Sequence, residues 1–275
     1  MRITFFCLGQ KAYISLKNIP QQYISCIECI VIGTDSQISN DYSNDIQLWA
    51  EKKSIPYIYR NEIKKRKLET EYFIAIGWRW IINIDESQKL IVLHDSILPK
   101  YRGFNPLVTA LIQGDNEIGV TALFGNENYD TGDIIIQKST TISYPIKIKK
   151  AIDIISSLYA DVILEIIQKI YYNEPLNATP QNSLLASYSL WRDNDDYKIN
   201  WNKSAKEIER FINAVGEPYL GASTFLNNKE YKIIKAQVFK DVTIVNRDVG
   251  KVIFKNNNNL VIVCGTGLLE IIDMI

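Results

Sequence analysis

The feature that most constrains this chain is the alternation, through its first half, of short β-branched runs with longer segments of helical period. Strands separated by helices pair in parallel, because a parallel crossover needs a dozen or more residues. Residues 2–8 read as a strand ending at Gly9, 11–18 as a helix and 24–33 as the next strand. A helix over 45–53, a short strand over 56–59, a buried strand over 72–77 stopped by glycine, and a strand over 89–94 continue the pattern. Strands over 118–124 and 133–142 bracket an irregular loop, 125–132, and a long packing helix over 148–172 carries Ile152, Ile155, Tyr159, Val162 and Ile166 at helical spacing. The expected fold class is α/β, with a Rossmann-like, mostly parallel sheet. Gly9 is followed by Gln10 without a Gly-x-x-Gly continuation, so the dinucleotide fingerprint is missing and NAD is not expected.

The stretch 173–189 is polar and turn-rich, with Pro175 and Pro180, and reads as a linker. Beyond it, Ser204-Ala-Lys-Glu207 is a capping box opening a helix to Val215, and short strands follow over 222–272. At 275 residues there is room for a principal domain and a smaller companion. We expect a catalytic domain over 1–180 and a small C-terminal domain over 181–275, with one helix and a β sheet or barrel. The asparagine run from Asn256 to Asn259 reads as a hairpin turn.

Charge narrows the partners. The 31 Lys and Arg residues balance 31 Asp and Glu, which removes the broad attraction on which binding to long nucleic acid relies. No apolar run spans a bilayer, since the best stretch, 152–170, is broken by Asp153, Asp161, Glu165 and Gln168. The N-terminus has neither a signal-type apolar region nor a cleavage pattern, which places the protein in the cytoplasm. Cys26 and Cys29 form a Cys-x-x-Cys in a β-rich run, but no second Cys/His pair completes a metal site. Reduced thiols and no metal are expected.

The chain has one histidine, His94, at the end of an expected strand. Imidazole is the side chain whose ordinary pKa lies near neutrality, so proton transfer at pH 7 calls on it, and it needs an acidic partner to orient it. Asp130, in Tyr-Asp-Thr-Gly-Asp beside the flexible Gly132, is the leading candidate, with Asp133 and Asp95 as rivals.

His-Asp-Ser-Ile-Leu-Pro-Lys-Tyr-Arg-Gly (94–103) resembles the signature of the formyltransferase family, and Gly-Val-Thr (119–121) and Asp-Thr-Gly-Asp (130–133) follow in family order. Ile199-Asn-Trp201, Ser204-Ala-x-Glu-Ile208 and Pro218-Tyr-x-Gly-Ala222 resemble the C-terminal domain of the tRNA and sugar members. The resemblance implies formyl transfer from 10-formyltetrahydrofolate to a primary amine. The family's catalytic Asn-x-His and later Asp map onto His94 and Asp130, but the asparagine position is Val92. A hydrocarbon there removes an oxyanion donor, a loss that typically costs about 10²- to 10³-fold in rate. Ser96 is the expected stand-in, because strand alternation turns Asp95 away from the face of His94.

The resemblance also implies a donor loop at Gly77, Trp78, Trp80, Ile81 and Ile82, where the tryptophans read equally as aromatic walls for a flat heterocycle and as core residues flanking an exposed arginine. Lys100, Arg102 and Gly103 read as contacts to an anionic part of either ligand or as a solvated basic loop, with Arg102 favoured as part of the family signature. A tRNA-directed member would carry a basic insertion, yet the stretch 34–45 holds Asp35, Asp41 and Asp45 with no lysine or arginine. The basic run Ile63-Lys-Lys-Arg-Lys67 is the counter-observation. A nucleotide-linked amino sugar, which brings only a diphosphate, is the expected acceptor, with a role in lipopolysaccharide O-antigen biosynthesis. The alternatives are a related N-acyltransferase using an acyl thioester, a methionyl-tRNA formyltransferase, and a weakly active ligand-binding member. Family analogy adds a homodimer.

Overall fold

A computed structural model describes residues 2–65 and 67–275; Met1, and Arg66 inside the basic run at 63–67, lie outside the described residues. There are two compact units. The first comprises residues up to Pro106, Glu117–Thr141 and Ile152–Ser189, and the second Leu107–Asn116, Ile142–Ala151 and Leu190–Ile275.

In chain order the elements are β1 (Ile3–Cys7), α1 (Gly9–Lys17), β2 (Ile27–Ile32), α2 (Ser43–Lys52), β3 (Tyr57–Tyr59), β4 (Tyr72–Ile76), β5 (Lys89–His94) and β6 (Arg102–Gly103). Then follow α3 (Pro106–Gln113), β7 (Glu117–Phe124), β8 (Ile134–Thr141), α4 (Ile148–Tyr171) and β9 (Tyr188–Ser189). The last are α5 (Ala205–Ala214), β10 (Ala222–Leu226), β11 (Lys229–Phe239), β12 (Val252–Asn256), β13 (Asn259–Val263) and β14 (Leu268–Met274).

The first unit is built on a seven-stranded sheet in the order β3-β2-β1-β4-β5-β7-β8. The first five strands are parallel, and β7 and β8 complete the sheet antiparallel to their neighbours. This is the mostly parallel α/β sheet expected from the sequence. β1 and β4 are buried along their whole length, as strands covered on both faces must be, which is why they read as unbroken apolar runs. Because β1 lies between β2 and β4, the chain changes direction across the sheet there, and loops at the carboxyl ends of β1, β4 and β5 gather beside one another.

Three local readings differ from the structure. The second strand starts at Ile27, because Gln21–Cys26 forms a 3-10 turn after Pro20. Helix α3 has no counterpart in the sequence reading, although Pro106 at its first position and Gly114 just past its end, with φ +84°, are start and stop signals. The stretch 173–189 is not a free linker but is tied to the first unit. Thr179 exchanges backbone hydrogen bonds of 2.8 and 2.9 Å with Ile134, and β9 pairs in parallel with β6.

The second unit carries a five-stranded antiparallel sheet, β10-β11-β14-β13-β12. Helix α5 buries Ala205, Ile208, Ile212 and Ala214 on one stripe. Its N-terminus is a complete capping box: Ser204 Oγ accepts from Glu207 N at 3.3 Å, and Glu207 Oε2 accepts from Ser204 N at 2.9 Å. Asn257 and Asn258, at φ +48° and +70°, make the turn between β12 and β13. The flanking Asn256 and Asn259 donate to Oε1 of buried Glu270 at 2.9 and 3.0 Å, and Gln237 donates to Oε2 at 2.7 Å. The Glu270 carboxyl is thereby held below its ordinary pKa by these amide donors.

All four cysteines are buried, and none is in a disulfide. Burial pushes the Cys264 thiol up to about 11. No helix among the described residues is long and apolar enough to cross a membrane. Ser204→Ala removes one half of the capping box and is expected to cost about 1 kcal/mol. A circular-dichroism melt checks this, and an unchanged midpoint would contradict the assigned cap.

Candidate active site

The site is assembled where β5 ends. Its last residue, His94, is followed by a loop that folds back on itself and on the neighbouring antiparallel strands. Thr121, paired with His94 across β5 and β7, donates its hydroxyl to Ser96 O at 2.7 Å and accepts from Leu98 N at 3.2 Å. Gln137 on β8 supports the same turn, donating to Leu98 O at 3.0 Å and to the Thr121 hydroxyl at 2.8 Å. The Ser96 hydroxyl closes the loop by donating to Lys100 O at 2.6 Å. Its single proton is therefore committed to the backbone, and Ser96 does not stand in as an oxyanion donor here.

His94 is 7% exposed and has protein oxygen at both nitrogens. Nε2 lies 2.8 Å from Tyr101 O, and Nδ1 lies 3.4 Å from Asp130 Oδ1, an ion-pair distance longer than a good hydrogen bond. The other Asp130 oxygen accepts from Gly103 N at 2.8 Å, which ties the turn carrying Asp130 to the loop after His94. Asp130 itself sits at φ +55°. Next to it, a Cβ on Gly132 would fall 1.7 Å from Phe124 O, so this turn is available only to glycine.

Gln181, in the stretch read as linker, completes the arrangement. Its amide nitrogen donates to Asp130 O and Gly132 O, both at 2.8 Å, and its oxygen accepts from Arg102 Nη2 at 2.8 Å and Nε at 3.1 Å. Arg102 is 3% exposed, so its guanidinium is a buried brace for the Asp130 turn rather than a surface anion contact. Lys100 is exposed and Gly103 half-buried, beside Asp130. Sequence reasoning missed Gln181 because a glutamine in a polar, turn-rich segment carries no periodicity.

Behind His94, Asp95 does turn the other way. Its carboxylate takes the Lys11 ammonium on Oδ2 and the Tyr159 hydroxyl on Oδ1, two very short contacts. Burial raises the Asp95 pKa, but the charge and hydrogen bond of Lys11, the Tyr159 hydroxyl and the His94 ring outweigh it and hold the carboxyl below its ordinary value. Burial, then the Asp95 charge, pushes the Tyr159 phenol well up.

The donor-loop residues divide. Gly77 adopts φ +63° with its Cα hydrogen facing Leu8 O, where a Cβ would sit 2.4 Å away. Trp78 and Ile82 pack with Val92 against Phe6, Val31, Phe73 and Ala75, and Ala75 is the register partner of Val92. The Trp78 indole N–H is buried and finds no acceptor among the described residues. Trp80 stands edge-on to Trp78 at 4.9 Å, with the Arg60 guanidinium 4.1 Å and that of Arg79 5.2 Å from its ring. Ile81 is 79% exposed and touches none of this. Among the described residues no group of three His, Cys, Asp or Glu side chains gathers to hold a metal.

An imidazole and a carboxylate facing each other beyond the carboxyl ends of a mostly parallel sheet stand where α/β folds of this kind place their ligands, and together are capable of acid–base chemistry. Comparison with known proteins narrows the class. Residues 58–152 match the family model of formyl transferase, and 192–275 that of the formyl transferase C-terminal domain. The chain is 35% identical over 217 residues to the methionyl-tRNA formyltransferase of Thermodesulfovibrio yellowstonii, covering 77% of this chain and 68% of that one. It is 29% identical over 240 residues to the Syntrophomonas wolfei enzyme, covering 86% and 75%. It is 32% identical to the Lactococcus lactis enzyme over 69% of this chain, a match spanning only 58% of that relative's length. Among solved structures, the N-formyltransferase from Helicobacter canadensis in complex with folinic acid and dTDP-3-aminofucose superposes with a TM-score of 0.72 at 20% identity, covering 98% of each chain. WlaRD, a sugar 3N-formyl transferase solved with dTDP and 5-N-formyl-THF, gives 0.69 at 23% identity, covering 98% of this chain and 96% of its own. The chain belongs to the formyltransferase family, and by class it is an N-formyltransferase.

Gln181→Leu deletes the ties to both carbonyls of the Asp130 turn and leaves the Arg102 guanidinium buried without its partner. We expect a stability loss of about 2 kcal/mol, within the range for losing hydrogen bonds to a charged group, together with a fall in turnover. Urea unfolding and initial rates at low temperature measure the two; wild-type values in both would remove Gln181 from the site.

Proposed function

We infer that this formyltransferase moves the formyl group of 10-formyltetrahydrofolate onto the primary amine of a nucleotide-linked amino sugar. The observation that carries the acceptor choice is the turn after β2, which is built on its own carboxylates. Asp41 accepts from Asp35 N at 2.8 Å and from Ser43 N at 3.0 Å, and Asp35 accepts from Gln37 N at 3.0 Å. The stretch 34–45 holds no lysine or arginine, so it offers an RNA backbone nothing to bind. The exposed pair Phe104 and Tyr129, with ring centroids 6.0 Å apart, adds support. These rings adjoin Gly103 and Asp130, where the apolar face of a pyranose carrying the reacting amine would lie. The end-to-end match in length with two sugar N-formyltransferases agrees with this reading.

The donor loop carries two features that a folate could use. The orphaned Trp78 N–H seeks an acceptor, and Ala75, Val92 and Ile82 offer an apolar bed on the face of the sheet that also carries His94. When bound, the folate supplies the formyl carbon as the electrophile. His94 would offer the formyl oxygen of a bound donor the Nε2–H that is now given to Tyr101 O. Asp130, facing Nδ1, would stabilise an imidazolium and take the proton lost by the attacking amine, a proton then returned to the tetrahydrofolate nitrogen as its bond to the formyl carbon breaks. Gln181 and Gly103 keep that carboxylate in place.

A second reading has its own observation: the 35% identity to a methionyl-tRNA formyltransferase. One incubation separates them. Purified protein is given 10-formyltetrahydrofolate with either a dTDP-linked amino sugar or methionyl-tRNA, and the products are read by mass. A formyl gain on the sugar is expected; a gain on the tRNA alone would overturn the sugar reading. Val92→Asn restores an amide two residues before His94 and is expected to raise turnover about tenfold or more, by adding an oxyanion donor. The same change lowers the melting point, because an amide enters an apolar cluster. A rate no higher than wild type would show that position 92 does not face the formyl oxygen.

A further inference from the structure

The mechanism above makes no use of the charged group closest to His94 in the chain. Asp95, Lys11 and Tyr159 come from three elements, the end of β5, α1 and α4, and meet in the interior of the first unit. The Lys11 and Asp95 side chains are 18% and 13% exposed, and Tyr159 is 1% exposed. Burying such groups is expensive, and replacing a buried ion pair by apolar residues of similar volume is often neutral or stabilising. Stability alone therefore gives little reason for this trio, while its placement gives another.

Tyr159 grips both neighbours of His94. Its hydroxyl lies 3.1 Å from Leu93 O, before the histidine, and contacts the Asp95 carboxylate, after it. Lys11 fixes the other carboxylate oxygen and lies 5.6 Å from the Tyr159 ring centroid. The backbone on either side of the imidazole is thus tied to one phenol from α4. The charged groups around His94 are Asp130, across Nδ1, and its chain neighbour Asp95, whose two carboxylate oxygens are taken by Lys11 and Tyr159. The charge of the His94 ring is among the causes that hold the Asp95 carboxyl below its ordinary value, and in a low-dielectric setting such a coupling between chain neighbours is little screened.

We propose that Lys11, Asp95 and Tyr159 are positioning residues that hold the His94 imidazole in place and set its proton affinity. The inference needs His94 to be the working imidazole of the site and does not depend on which amine is formylated.

The single histidine makes the test direct, since imidazole resonances of isotope-labelled protein report His94 alone. In Asp95→Asn a negative charge is lost and the Lys11 cation is left unpaired; both disfavour imidazolium, so the titration midpoint should fall by about one pH unit, tenfold in proton affinity. Combining Lys11→Met with Asp95→Asn removes both charges and should return the midpoint at least halfway to wild type. Tyr159→Phe strips a donor from Asp95, leaves its charge barer and should move the midpoint up by a smaller amount. If Asp95→Asn does not fold, the double variant and Tyr159→Phe decide. An unchanged midpoint in folded Asp95→Asn, or, where that variant does not fold, in Tyr159→Phe, would overturn the proposal. Shifted midpoints in a protein that formylates no amino sugar would overturn the acceptor reading and leave this one standing.

Discussion

Everything in the candidate site depends on one contact made across two loops: the His94 imidazole held against the Asp130 carboxylate at 3.4 Å. Neither residue can be placed alone. The histidine is fixed by the end of β5, whereas the aspartate is carried on a turn that exists only because Gly132 lets Phe124 O approach. The two meet because Gly103 N donates to Asp130 and because Gln181 holds the carbonyls around it. A pair arranged in this way is preorganised: the carboxylate does not have to be recruited when an imidazolium forms.

The sheet positions that pair by a difference in pairing direction. β4 and β5 are parallel and bring the Gly77 loop alongside His94, while β7 and β8 run antiparallel and supply Thr121 and Gln137 to the turn after it. The same face of the sheet that carries Val92 toward Trp78 and Ile82 carries His94 two residues on. The hydrocarbon at Val92 is thus part of a continuous apolar row, and the polar chemistry begins at His94.

Much of this was legible in the sequence because periodicity reports burial. The wholly buried β1 and β4, the limits of β5, the long stripe of α4 and the Ser204 cap were all visible as patterns of side-chain type. His94 and Asp130 were legible through chemical scarcity and local motif. What stayed hidden were side chains whose role is set by tertiary partners. Arg102 reads as an anion contact until Gln181 is seen to occupy it, and Ser96 reads as a free hydroxyl until Lys100 O takes its proton. Lys11 and Tyr159 sit on amphipathic helices where a cation and a phenol look like surface and core, and only the fold brings both onto one carboxylate.

The C-terminal sheet handles a buried acid differently from the catalytic unit. Among the described residues no cation pairs with Glu270; three carboxamides share its charge and, in doing so, pin the hairpin formed by β12 and β13 to β14 and β11. Dipoles of fixed groups are not displaced by dissolved ions as an exposed pair such as Lys251 with Asp248 is. That edge of the molecule is therefore fastened in a way that brine leaves alone, and its cohesion is decoupled from the ionic conditions under which charged ligands come and go.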